Sequence, residues 1–140
     1  MNRRRPRNPP ARPVVLVVES HEDTRALYAL ALSLVGFEVV AEQDGADAFR
    51  LAWEIDPDIV VTDLALPKYD GWQLLQDLKH DTRTRHIPVV AVSGYVEGSV
   101  RDRAERDGFA AFFTKPCSPD VLADGLRHVL GGQVHARGER

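Results

Sequence analysis

The chain is short of the residues that would place it in several functional classes. Cys117 is the only cysteine among 140 residues, so no intrachain disulfide can form, and the composition fits a reducing compartment. No apolar stretch approaches the roughly 20 residues that span a bilayer. The basic start followed by Val14–Val18 has the outline of a secretory leader. That run is only five residues long and ends at Glu19, too short for an h-region. Neither G-x-x-x-x-G-K-[ST] nor G-x-G-x-x-G occurs, so the usual glycine-rich phosphate cradles are absent. Cys117 and the five histidines show no metal-ligand spacing, and a structural zinc is not expected. Lysine is scarce, three residues against 15 arginines, which gives weight to a lysine at a structurally pointed position. The expected location is the cytoplasm.

Charge is uneven along what remains. Residues 1–13 carry five arginines (Arg3, Arg4, Arg5, Arg7, Arg12), four prolines and no acid. Such a segment buries too little apolar surface to offset its ordering entropy and reads as a disordered, solvated leader. The other 13 basic residues face 21 acids, a formal charge of −8 for the body. An acidic body disfavours general nucleic-acid binding. Residues 132–140, after Gly131, have no apolar periodicity and read as a frayed tail behind a glycine-capped helix.

Between the tails, residues 14–131 alternate strand and helix signals. Val14–Val18 is a β-branched apolar run suited to a strand buried on both faces. Ala26, Leu27, Leu30, Ala31 and Leu34 then recur at helical spacing until Gly36, which fits the C′ position. Phe37–Ala41 predicts a second strand and Gly45–Glu54 a second helix with Asp44 as N-cap. Asp58–Thr62, Ile87–Val92 and Ala110–Thr114 predict three further strands. Helices follow them: one ending at Lys79, one over Gly98–Asp107, and one capped by Ser118 and running to Leu130. Five such units predict an α/β fold, a parallel sheet between two helical layers. The flavodoxin-like (βα)5 sandwich with strand order 2-1-3-4-5 is the common solution for five strands.

In these sheets, ligands bind beyond the carboxyl ends of the strands. Glu19, Ser20, His21, Glu22 and Asp23 follow the first strand, Asp63 the third, Ser93 and Gly94 the fourth, and Lys115 the fifth. Carboxylates, a hydroxyl and one of the scarce lysines thus converge on one edge. The set suits phosphoryl chemistry. An Asp carboxylate can act as nucleophile and form an aspartyl-phosphate. A hard divalent cation on carboxylate oxygens would neutralise the phosphoryl group, with a lysine and a hydroxyl adding a point charge and a hydrogen bond. His21 reads as a solvated loop residue beside the acids. Trp53 and Trp72 read as helix-packing residues, and Cys117 as filling space after Pro116.

At residue level, the pattern resembles the response-regulator receiver family over about residues 14–130. Val15-Leu-Val-Val-Glu-Ser-His-Glu-Asp-Thr-Arg25 looks like its first strand and acidic loop, and Val60-Val-Thr-Asp-Leu-Ala-Leu-Pro67 like its phosphoacceptor strand. Pro67 and Gly71, four and eight residues after Asp63, match the family spacing. Val92-Ser-Gly94 looks like the strand of the switch hydroxyl, and Phe112-Phe-Thr-Lys-Pro116 like the strand that carries the lysine.

The resemblance implies that Asp63 is phosphorylated by a histidine kinase or phosphotransfer protein, with Lys115 and Ser93 contacting the phosphoryl group. It implies that Phe112 follows the switch, that the Lys115–Pro116 bond is cis, and that Mg2+ binds Glu19, Asp63 and the Ala65 backbone carbonyl. Ser20 is a departure, because the family has a metal-binding acid there and a hydroxyl is a poorer magnesium ligand. Two readings follow. One is a stand-alone phosphoswitch, a monomer or weak homodimer with no room for a DNA-binding domain. It would signal to a protein target through its fourth helix, fifth strand and fifth helix. The other is a degenerate receiver, an interaction module independent of phosphate. Neither is an enzyme beyond its own phosphorylation and dephosphorylation.

Overall fold

A computed structural model describes residues 12–94 and 97–138, with side chains as far as Gly132. Residues 1–11, with most of the arginines and prolines of the leader, lie outside the described residues. The order is β1 (Val14–Val18), α1 (Glu22–Leu34), β2 (Glu38–Glu42), α2 (Gly45–Ile55), β3 (Ile59–Asp63), α3 (Gly71–His80), β4 (Val89–Ser93), α4 (Gly98–Asp107), β5 (Ala111–Thr114) and α5 (Pro119–Gly138). All strand pairs are parallel, in the order β2-β1-β3-β4-β5, so the predicted flavodoxin-like topology is the one observed.

The three central strands, β1, β3 and β4, are buried along their whole length. This is why they are continuous β-branched runs rather than alternating ones. Successive side chains point to opposite faces and feed two cores. Leu16, Val18, Val60, Val89 and Ala91 pack with Leu74, Leu75 and Leu78 of α3 and with Ala48 and Ala52 of α2. Val15, Val17, Ile59, Val61, Val90 and Val92 pack with Tyr28 and Leu32 of α1 and with Leu122, Ala123 and Leu126 of α5.

Several local signals work as read. Asp44 caps α2 by accepting from the N–H groups of Ala46 and Asp47 at 2.8 and 3.0 Å. Ser118 Oγ accepts from Val121 N at 3.2 Å. The Lys115–Pro116 bond is cis. No helix among the described residues is long and apolar enough to cross a membrane.

Other details are corrected. β2 begins one residue later than expected, because the Phe37 N–H donates to the Leu32 carbonyl at 3.1 Å and so closes α1 instead of joining the sheet. β4 begins at Val89, and β3 extends to include Asp63. α5 continues past Gly131 and Gly132 to Gly138, so neither glycine caps it. Glycine costs about 1 kcal/mol in a helix interior but does not forbid the conformation.

Arg12 and Pro13, expected to belong to a disordered leader, are instead bonded to the body. Arg12 donates from Nη2 to the carbonyls of Ser33 and Phe37 at 2.9 and 2.6 Å, and the Pro13 carbonyl accepts from Glu38 N at 2.8 Å. On α1 the buried residues are Tyr28 and Leu32, whereas Leu27, Leu30 and Leu34 of the expected apolar stripe are 53%, 61% and 76% exposed. Trp72 packs edge-on against Phe109, as a helix-packing residue should. Trp53 lies at the surface with the Arg83 guanidinium 3.6 Å over its ring.

Candidate functional site

The register of the sheet brings the strand ends together. Val18 stands beside Thr62, Asp63 beside Val92, and Ser93 beside Thr114. The residues that follow β1, end β3 and β4, and follow β5 therefore share one edge. Gly71 lets α3 start against that edge. Its N–H donates to the Leu64 carbonyl at 3.0 Å, and a Cβ there would come within 2.4 Å of the Asp63 carbonyl oxygen. Only glycine permits that approach, which gives the spacing of eight residues after Asp63 a physical reason.

Three charged side chains meet there. Lys115 Nζ donates to Glu19 Oε1 and to Asp63 Oδ2, each at 2.7 Å. Glu19 and Asp63 are buried, 2% and 6% exposed. Asp63 Oδ1 also accepts from Ala65 N at 2.9 Å. Glu19 Oε2 accepts from His21 N at 3.0 Å and lies 3.1 Å from His21 Nδ1. Two carboxylates against one ammonium leave this trio with a net negative charge.

Burial pushes the Glu19 carboxyl up, but the Lys115 ammonium and the His21 backbone and ring donors outweigh it and hold it below its ordinary value. Burial likewise pulls the Lys115 ammonium down, and its bonds to Asp63 and Glu19 outweigh that and raise it. Both groups are thus held in their charged forms, as ion pairing at a desolvated site requires. Glu19, His21 and Asp63 each offer a ligand atom within 4.8 Å of the others, so the cluster has the donors to hold a metal ion.

The remaining predicted residues take different places. Ser93 is fully buried at the end of β4, and its carbonyl accepts from Lys115 N at 2.8 Å. Ala65 presents an exposed, small side chain two residues beyond Asp63. Ser20 is half-buried in the loop after β1. Phe112 belongs to the core beneath α2, α3 and α4, with the Arg101 guanidinium 4.8 Å from its ring. Beside it, between α4 and β5, lies a cavity of about 230 Å³ lined also by Ala104, Glu105 and Phe109. Cys117 is half-buried behind Pro116, its backbone carbonyl accepting from the Tyr28 hydroxyl at 3.1 Å.

Two residues that the sequence left without a role contribute to the site. His21 is exposed, as expected of a loop residue, yet it is oriented on Glu19 through both its backbone and its ring. Arg25 Nη1 donates to the carbonyls of Glu19 and Ser20 at 2.9 and 3.4 Å, which fastens the acidic loop to α1. The only advance signal was an acid two residues before a histidine at a strand-to-helix turn.

Comparison with known proteins agrees with this geometry. The family model for the response regulator receiver domain matches residues 15–127. The polar-differentiation response regulator DivK of Brucella ovis is 31% identical over 117 residues, covering 84% of this chain and 95% of that protein. The signal receiver domain of a signal transduction histidine kinase from Syntrophus aciditrophicus superposes with a TM-score of 0.78 at 28% identity, over 86% of this chain and 91% of that one. The chemotaxis protein CheY4 of Vibrio cholerae shares the fold, with a TM-score of 0.80 at 21% identity over 85% and 99% of the two chains. A five-unit parallel sheet whose carboxyl edge gathers Glu19, Asp63 and Lys115 is thus a bacterial signalling module, and the chain belongs to the response regulator receiver family of two-component systems.

Proposed function

We propose that the chain receives a phosphoryl group on Asp63 from a histidine kinase or phosphotransfer protein and passes the signal on through protein contacts. The observation that carries this reading is the pairing of Asp63 Oδ2 with Lys115 Nζ at 2.7 Å at the end of the central strand β3. A carboxylate oxygen of Asp63 attacks phosphorus, the N–P bond of the donor phosphohistidine breaks, and the imidazole leaves with a proton from solvent. Lys115 offsets the charge of the new acyl phosphate, and the Ser93 hydroxyl hydrogen-bonds it.

Glu19, Asp63 and the Ala65 carbonyl are the groups that would hold Mg2+, whose chemistry is to neutralise phosphoryl oxygens. Phosphorylation then biases a two-state equilibrium that Phe112 reports. The output surface is α4, β5 and α5, where the cavity beside Phe112 offers a partner apolar contacts from Ala104 and Phe109 beside the charges of Arg101 and Glu105. The five-residue apolar run of β1 and the acidic body favour a cytoplasmic protein that acts on other proteins.

A second reading is favoured by Ser20. With a hydroxyl in place of the metal-binding acid, and Lys115 already bridging both carboxylates, the domain would be a protein-interaction module that phosphate does not switch. Intact mass after incubation with acetyl phosphate, with and without Mg2+, separates the two. A Mg2+-dependent gain of one phosphoryl group in the wild type and none in Asp63→Asn is the result the first reading predicts. A gain only in Ser20→Asp supports the second.

A further inference from the structure

We infer that His21 is a metal ligand, and that with Glu19 and Asp63 it makes this site a seat for a borderline divalent ion of the zinc class. The inference rests on the reading of the Asp63 edge as a cation site and names what that site selects.

The argument begins with what the position after Glu19 lacks. Ser20 offers a neutral hydroxyl, so the oxygen donors from side chains reduce to two carboxylates. Mg2+ takes oxygen ligands in near-ideal octahedral geometry and gives up water reluctantly. Imidazole instead suits zinc and its neighbours in the transition series. His21 supplies that imidazole one residue further along the loop.

Geometry supports the same set. His21 Nδ1 is 3.1 Å from Glu19 Oε2. Two donors about 2.1 Å from one ion lie about 3 Å apart in cis positions of an octahedron and about 3.4 Å apart on a tetrahedron. The observed spacing is that of a hydrogen bond, and it also lets both atoms reach one ion once the ring gives up that hydrogen, with an Asp63 carboxylate oxygen completing a trio within 4.8 Å. Lys115 occupies Glu19 Oε1 and Asp63 Oδ2. Each carboxylate oxygen has two lone-pair sites. Asp63 Oδ1 accepts from Ala65 N and keeps one for the ion, and Glu19 Oε2 keeps one once the His21 ring turns from hydrogen-bond donor to ligand.

Orientation is supplied in advance. The His21 N–H donates to the same Oε2, Arg25 N donates to the His21 carbonyl at 2.9 Å, and the Arg25 guanidinium holds the carbonyls of Glu19 and Ser20. The loop is thus fixed from both sides of the ring. A neutral imidazole on two carboxylates would give a site of the two-acid, one-histidine kind, with water filling the open positions.

The test is a calorimetric titration of the full chain with ZnCl2 and, separately, MgCl2, on wild type, His21→Gln and Asp63→Asn. A ring 1H–15N spectrum of the histidines is recorded at each zinc addition. Zinc is expected to bind the wild type at least tenfold more tightly than His21→Gln and to shift the His21 ring signals first. The Mg2+ affinity should fall less than the zinc affinity in His21→Gln, and an unchanged far-UV circular dichroism spectrum shows that this variant keeps its fold. Loss of zinc affinity in Asp63→Asn places the ion on the trio. Equal zinc affinity in wild type and His21→Gln overturns the inference, as does a zinc shift confined to the other histidines. These outcomes are independent of phosphorylation. A Mg2+-dependent phosphoryl gain beside an indifferent His21→Gln would retire the histidine ligand and leave the phosphoacceptor reading standing.

Discussion

The two ends of the sheet use the same side chain for opposite purposes. At the amino end, Asp58 Oδ2 accepts from Val14 N at 2.7 Å and joins the start of β3 to the start of β1. Its neighbour Asp56 closes α2 in a left-handed conformation and meets His86 Nε2 at 2.7 Å. Asp58 thus ties two strand starts together, and Asp56 faces a side chain of its own that can carry a positive charge. At the carboxyl end, Glu19 and Asp63 share a single ammonium and retain a net negative charge while buried. Burying charge is costly unless it is fully paired. An excess of buried negative charge marks the carboxyl end as the place where a further cation is expected, and the amino end as architecture.

Removing a charge from each end should separate these roles. Lys115→Met leaves two buried carboxylates without their cation and should cost about 3 kcal/mol, the lower end of the range for breaking a buried pair because Lys115 is partly exposed. Asp58→Asn removes charge from one hydrogen bond to a backbone N–H and should cost about 1 kcal/mol. Urea unfolding of both variants at neutral pH gives the comparison. Equal losses would erase the distinction between the two ends. Adding Glu19→Gln to Lys115→Met should recover part of the loss, since one unpaired charge then disappears.

Gly71→Ala tests how closely α3 is set against the site. A Cβ within 2.4 Å of the Asp63 carbonyl and 2.9 Å of Leu64 Cα meets backbone that cannot step aside. The expected destabilisation is about 2 kcal/mol, together with a displaced Asp63 that accepts phosphate poorly. Thermal unfolding checks the first effect and acetyl phosphate labelling the second. An alanine tolerated in both assays would show that the close approach is not needed.

The smallest effect is in the pH profile. Glu19 is held below its ordinary value of 4.5, so its contribution to stability is present above that pH and lost as pH falls through the lower folded value. Lys115 is raised above 10.5, so its contribution is present below that pH and lost as pH rises through the higher folded value. Glu19→Gln should flatten the acid limb of the wild-type stability curve and, by removing one partner of Lys115, weaken the alkaline limb. An unchanged acid limb would mean that Glu19 is not held ionised by its neighbours.

Much of this could be read from the chain alone, and the reasons differ by element. The buried strands announce themselves because a strand covered on both faces must be apolar throughout, as Val14–Val18 and Ile59–Val61 are. Asp63 stood out for the same reason, as an acid closing such a run. On α1 the stretch Ala26–Leu34 is apolar at nearly every position, so its spacing identified a helix but not which side is buried. Packing against α5 and Phe37 selects Tyr28 and Leu32.

The anchoring of Arg12 to carbonyls 21 and 25 residues away is a long-range contact with no local trace. His21 was legible as a residue but not as a donor, since its orientation depends on the turn of the loop and on Arg25. Ser20, by contrast, was legible at once, because a missing charge can be seen without coordinates.

The central claim is that the charged carboxyl end exists to accept phosphate at Asp63 and nowhere else. Its most direct test is to phosphorylate the full chain with acetyl phosphate and divalent metal, reduce it with borohydride, and map the peptides by mass. Reduction converts an aspartyl-phosphate to homoserine and leaves free carboxylates untouched. The account predicts a single homoserine, at residue 63. Conversion at another acid, or none under conditions in which Ser20→Asp is converted, would contradict it.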